Sequence, residues 1–104
     1  MTAKYTFFIG LNDKDTKQQI VSTVDAYHVV ENIFSAHGTD CTITGGRGVY
    51  THENGTVVVE ETLCVTVFEF GAAIPVKAIC DSIKSALNQE SVAVERAETE
   101  SALY

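Results

Sequence analysis

Tryptophan is absent, proline occurs once, and no apolar run approaches the length needed to cross a bilayer. A single proline with 45% apolar content excludes a proline-rich linker and a disordered tail, and points to one ordered globular domain over residues 1–104. The opening MTAKYTFFIGLND lacks a signal peptide's succession of basic region, apolar core and small-residue cleavage site, so a cytoplasmic location is expected. The three cysteines, Cys41, Cys64 and Cys80, form no Cys-x-x-Cys and leave an odd number, which reads as reduced thiols on apolar faces. His28, His37 and His52 are not spaced with them as metal ligands, and neither metal nor cofactor is expected.

Cations are scarce. Seven Lys and Arg stand against fourteen Asp and Glu, a net charge of −7, with nine of the acids in residues 53–104. Such a surface repels phosphate backbones, so no nucleic-acid partner is expected; a basic protein partner is the other implication of the excess acid. Catalytic signatures are missing too: there is no Gly-x-Ser-x-Gly, Walker loop or His-Glu-x-x-His. His52, Glu53, Glu60 and Glu61 would supply acid–base groups across a hairpin, but a wet hairpin end explains the same residues. A non-enzymatic protein is the expectation.

What is present is a strong hairpin, Asp40 to Phe70, turning at His52-Glu53-Asn54-Gly55. Asn-Gly favours such a turn because both residues tolerate positive φ. On the second arm Val57, Val59, Leu63, Val65 and Val67 point one way, and Val58, Cys64, Phe68 and Phe70 the other. Glu60 and Glu61 face opposite sides, and a bulge is expected there. The first arm carries Gly45-Gly46-Arg47-Gly48.

Before the hairpin, Lys4 to Leu11 alternates as a strand with Tyr5, Phe7, Ile9 and Leu11 on its apolar side. Asn12 to Asp15 reads as a solvated turn. A helix follows, starting at Thr16 or at Ser22, with Ile20, Val24, Tyr27, Val30, Ile33 and Phe34 as its buried stripe and Gly38 as its stop. After the hairpin, Pro75 opens a second helix with Val76, Ile79, Cys80, Ile83, Ala86 and Leu87 inward. Ser91 to Val94 reads as a last strand, followed by an acidic tail without apolar pattern.

The order strand, helix, strand, strand, helix, strand predicts an α+β, ferredoxin-like βαββαβ fold, an antiparallel sheet with both helices on one face. The other face keeps Phe8, Val58, Cys64, Phe68 and Phe70 with no helix to cover them. A homo-oligomer, dimer or trimer, is therefore expected.

This strand order, with a glycine-bearing first hairpin arm, resembles the PII-like and CutA-like families, whose ferredoxin-like subunits bind nucleotides or metal ions in clefts between subunits. YTFFIGLNDKDTK and ALNQES resemble segments of small uncharacterised phage and mobile-element proteins of Gram-positive bacteria. That second resemblance implies an accessory role against host defence, by sequestering a nucleotide signal or occluding a host protein.

A binding module for an anionic small molecule in an inter-subunit cleft is the expected function. Its candidate residues are Gly45, Gly46, Arg47, Gly48, Tyr50, His52 and Glu60. Glycines let backbone amides approach an anion, and Arg47 offers a fork for phosphate or carboxylate. Arg47 pairing with Glu60 or Glu61 explains the same cation without a ligand. An acidic inhibitor of a host protein and a PII-like sensor are the rival functions.

Overall fold

The computed structural model describes residues 2–104. The elements are β1 (Thr2–Gly10), α1 (Thr23–Ala36), β2 (Thr42–Thr51), β3 (Val57–Glu69), α2 (Val76–Leu87) and β4 (Ala93–Thr99). The sheet order is β2-β3-β1-β4, every neighbour antiparallel, which is the ferredoxin-like arrangement.

Strand alternation decides where the core lies. Phe7 and Ile9 of β1 and Leu63, Val65 and Val67 of β3 share one sheet face, against Ala26, Val30 and Phe34 of α1 and Ile79, Ile83 and Leu87 of α2. Both helices therefore cover the same face. Phe7 and Phe34 meet edge-to-face with centroids 5.2 Å apart, a geometry worth about 0.5–1.5 kcal/mol beyond burial alone.

Helix α1 begins at the later of its two expected starts. The Ser22 hydroxyl accepts the Asp25 N–H at 3.1 Å. The earlier start at Thr16 is closed off because Lys17 takes a positive φ of 63° and Asn12 bridges to Gln19, folding residues 12–19 into a loop. The buried stripe is corrected accordingly: Ile20 precedes the helix and Val24 turns outward, at 65% and 67% exposure, while Ala26 takes the inward position. Gly38 ends the helix as expected. With φ of 64° it lets its own N–H reach Ser35 O and the Thr39 N–H reach Phe34 O, a Schellman closure.

Further corrections concern the second half. No bulge interrupts Glu60-Glu61, since β2 and β3 pair without a break from Thr42↔Thr66 to Thr51↔Val57. The far end of this hairpin outruns the helices, which leaves Val49, Val57 and Val59 exposed and stretches the molecule to 46 Å along one axis. Ala86 faces out. Strand β4 runs on through Glu95, Arg96 and Glu98 to Thr99 because its ladder to β1 is made by backbone groups, and charged side chains suit a sheet edge. The cysteines are free and half-buried, and burial pushes the Cys41 and Cys80 thiols up. Among the described residues no helix is long and apolar enough to cross a membrane.

Candidate functional site

On the helix-free face, three segments enclose a cleft of about 520 Å³. The end of β1 and the loop after it supply Phe8, Gly10, Asn12, Lys14 and Lys17. The hairpin supplies Gly48, Tyr50, His52, Val58, Glu60 and Thr62, and the turn after α2 adds Gln89 to Ser91.

Glu60 is its fixed point. One carboxylate oxygen accepts the Asn12 backbone N–H at 2.9 Å, and the other accepts the Tyr50 hydroxyl. The carboxylate lies over Gly10, where a Cβ would overlap it, so the strand needs glycine there for close approach. Gly48 plays a similar part against Thr62, whose hydroxyl would stand 3.1 Å from an added Cβ. Tyr50 is held neutral. Burial, then the hydrogen bond and charge of Glu60, push its pKa from 10.0 to about 12. The His52 ring meets Tyr50 edge-on at 6.2 Å.

The loop after β1 is locked to the end of α2. Asp13 accepts the N–H groups of Asp15 and Thr16, both at 2.9 Å, and the Asn88 amide at 2.7 Å. Those bonds, with Thr16 the largest cause, hold the Asp13 carboxyl down at about 2. Asn88 also reaches Asp15 at 2.9 Å, its carbonyl accepts the Lys14 N–H, and Gln89 donates to the Asn12 carbonyl. The expected turn is there, exposed from Lys14 to Gln18, and it is also braced, which sets the Asn12 N–H against Glu60.

The sequence candidates divide by strand parity. Gly48, Tyr50, His52 and Glu60 come together in the cleft. Gly46 shares their face but lies beside Cys64, away from the cleft lining. Gly45 and Arg47 point to the opposite face because alternate residues of a strand do. A Cβ on Gly45 would meet the Tyr27 hydroxyl at 2.8 Å. Arg47 stands opposite Glu61 in the ladder and pairs with it at 3.3 Å on the surface. Phe8, Gly10, Asn12, Lys14, Lys17 and Gln89 were not among the candidates. A glycine inside an otherwise apolar strand was the one signal for them.

A hollow of about 640 Å³ lies between α1 and β2. It gathers Glu31, Asp40 and Cys41 without a cation or a converging set of hydrogen bonds, so the Glu60 cleft is the better candidate.

No protein-family model matches this sequence, and no curated protein matches it. Solved structures do. The chain is similar to a phage SAM lyase in complex with S-methyl-5′-thioadenosine, at 25% identity and a TM-score of 0.68 over 93% of this chain and 81% of that one. Against a phage SAM lyase in the apo state the values are 25% and 0.70, over 91% and 78%. The GlnK–ATP complex of B. subtilis, at 13% identity and a TM-score of 0.56 over 92% and 84%, shares the fold alone. The expectation of a non-enzymatic protein is corrected by the first two, because the protein this chain resembles at 25% identity along nearly its whole length is an enzyme.

Proposed function

We propose that this chain is an enzyme that breaks an adenosyl sulfonium compound, S-adenosylmethionine (SAM), and that the Glu60 cleft holds the substrate. One observation carries the reading: over Gly10, a carboxylate is fixed by Asn12 and Tyr50 in a nucleoside-sized cleft, within a chain that resembles a SAM lyase along 93% of its length. Phe8, Tyr50, Val58 and Ala93 offer aromatic and apolar surface to an adenine ring, and Asn12, Thr62, Gln89 and Ser91 offer hydrogen bonds to a ribose.

Glu60 supplies the charge that a sulfonium needs. A carboxylate about 4 Å from a cation is worth ~4 kcal/mol at the intermediate screening of a partly open cleft. Lyase chemistry breaks the bond between the sulfur and the methionine Cγ. The sulfur leaves with both electrons as the neutral thioether S-methyl-5′-thioadenosine, the molecule bound by the phage enzyme. The four-carbon fragment balances this either by giving a Cβ proton to a base, a carboxylate or water, in an elimination, or by closing on its own carboxylate with no net proton change. Neither route needs a metal, a redox partner or a protein nucleophile, which is why no familiar catalytic signature marks the sequence.

Turnover replaces sequestration as the way such a protein acts on a host. SAM donates methyl groups, so an accessory phage-type protein that consumes it deprives the host's methyl-transfer enzymes. Self-association is part of the proposal. Phe68 and Phe70 stack at 5.5 Å on the helix-free face, 43% and 46% exposed, beyond the Thr6–Thr66 pair from the cleft residue Phe8, and these exposed aromatics are what a second copy would cover.

Calorimetric titration with S-methyl-5′-thioadenosine tests the site. Saturable binding by the wild type supports it, and SAM turnover slowed at least about tenfold in Tyr50→Phe, through loss of the bond that fixes Glu60, ties the site to that carboxylate. A wild type with no affinity for the thioadenosine removes the proposal.

A further inference from the structure

Among the described residues, four of the seven Lys and Arg are in ion pairs: Arg47 with Glu61, Lys77 and Lys84 with Asp81, and Arg96 with Glu98. Lys4, Lys14 and Lys17 have no carboxylate partner. Two of those three, Lys14 and Lys17, line the cleft, in a protein with twice as many acids as bases. Their segment is not a loose loop. Asn88 braces it through Asp13 and Asp15, and the Lys17 ammonium donates to the Lys14 backbone carbonyl at 2.6 Å, which holds that ammonium at the Lys14 backbone. Of the other acids that line the cleft, Asp13 has its oxygens engaged by Asp15, Thr16 and Asn88, and Glu90 stands exposed on the turn after α2, on a different wall from the lysines.

The cleft thus combines a fixed carboxylate at Glu60 with a wall, the loop after β1, that carries two lysines outside any ion pair. A ligand suited to both carries a cation near its middle and a carboxylate at one end. We infer that Lys14 and Lys17 bind the α-carboxylate of the substrate's amino-acid chain, making this site selective for the intact amino acid over its decarboxylated form. The inference rests on the SAM reading above and adds the group that distinguishes the substrate from related adenosyl sulfonium and thioether compounds. An ammonium has three donors, and Lys17 spends one on the Lys14 carbonyl, which leaves two for a carboxylate.

Three unreactive probes separate the two readings: S-adenosylhomocysteine, its decarboxylated analogue and S-methyl-5′-thioadenosine. The wild type should bind S-adenosylhomocysteine at least about tenfold more tightly than the decarboxylated analogue, as expected for a charge-assisted contact. The double variant Lys14→Gln with Lys17→Gln should lose that preference and keep its affinity for S-methyl-5′-thioadenosine, which has no carboxylate to lose. Lys14→Arg with Lys17→Arg should keep the preference, because the charge remains. Thioadenosine binding without any preference for the carboxylate, or a preference that survives the glutamine variants, overturns the inference and leaves the SAM reading standing. A wild type that binds none of the three probes overturns both.

Discussion

The Glu60 carboxylate occupies the space into which a side chain at Gly10 would grow. The two residues lie on adjacent strands, where Gly10 faces Thr62 in the β1–β3 ladder, and the missing Cβ is what lets Glu60 lie flat on the sheet and reach the Asn12 N–H. The site is thus built from an absence in one strand and a charge in the next.

Gly10→Ala should therefore separate fold from function. The obstructing atoms belong to the free end of a flexible side chain, so the melting curve should move by no more than about 1 kcal/mol, with alanine itself somewhat favoured over glycine in a strand. Conversion of SAM to S-methyl-5′-thioadenosine should slow sharply as Glu60 is pushed from Asn12 and Tyr50. An unchanged rate would mean that the placement of Glu60 does not matter.

Tyr50 should titrate late. Spectrophotometric titration of the four tyrosines should contain one step near pH 12, absent from Tyr50→Phe. Because the folded-state value lies above the ordinary 10.0, the stabilising contribution is complete below pH 10 and is lost as pH rises from 10 to about 12. The stability gap between wild type and Tyr50→Phe should close across that interval. A gap that does not change there contradicts the Tyr50–Glu60 bond.

Arg47→Ala should cost about 0–1 kcal/mol, since the Arg47–Glu61 pair is exposed on both sides. It should leave the affinity for S-methyl-5′-thioadenosine as it was, because Arg47 stands on the helix side of the sheet. Loss of binding without loss of stability would place a ligand at the glycine run instead.

Phe68→Glu should yield a folded chain that no longer self-associates. Light scattering is the measurement: a wild type larger than 11.3 kDa and a variant of that mass fit the covered face, whereas a wild type that is already a monomer at micromolar concentration does not.

The fold was legible because its determinants are local. Period-two alternation marks Phe7, Ile9, Leu63, Val65 and Val67, Asn54-Gly55 marks the hairpin, and Gly38 marks the end of α1. The candidate site was half legible. Glycines and a lone arginine drew attention to residues 45–48, yet parity sends Gly45 and Arg47 to the helix side, and only Gly48 joins Tyr50, His52 and Glu60. The rest depends on contacts far apart in the chain. Asn88 braces Asp13 across 75 positions, and Glu60 meets Asn12 across 48, so nothing in residues 12–19 alone distinguishes a braced wall from a wet turn. Strand β4 was shortened for the same reason, since its pairing is supplied by β1 and not by its own pattern.

The most direct measurement is incubation of the purified protein with SAM, followed by chromatography of the adenosyl products. The account predicts that S-methyl-5′-thioadenosine accumulates in proportion to protein and time, and that Glu60→Gln, which keeps the shape and removes the charge, slows its formation at least about a hundredfold, a loss of roughly 2.7 kcal/mol of stabilisation. No S-methyl-5′-thioadenosine above the protein-free control, or equal rates in wild type and Glu60→Gln, would contradict it.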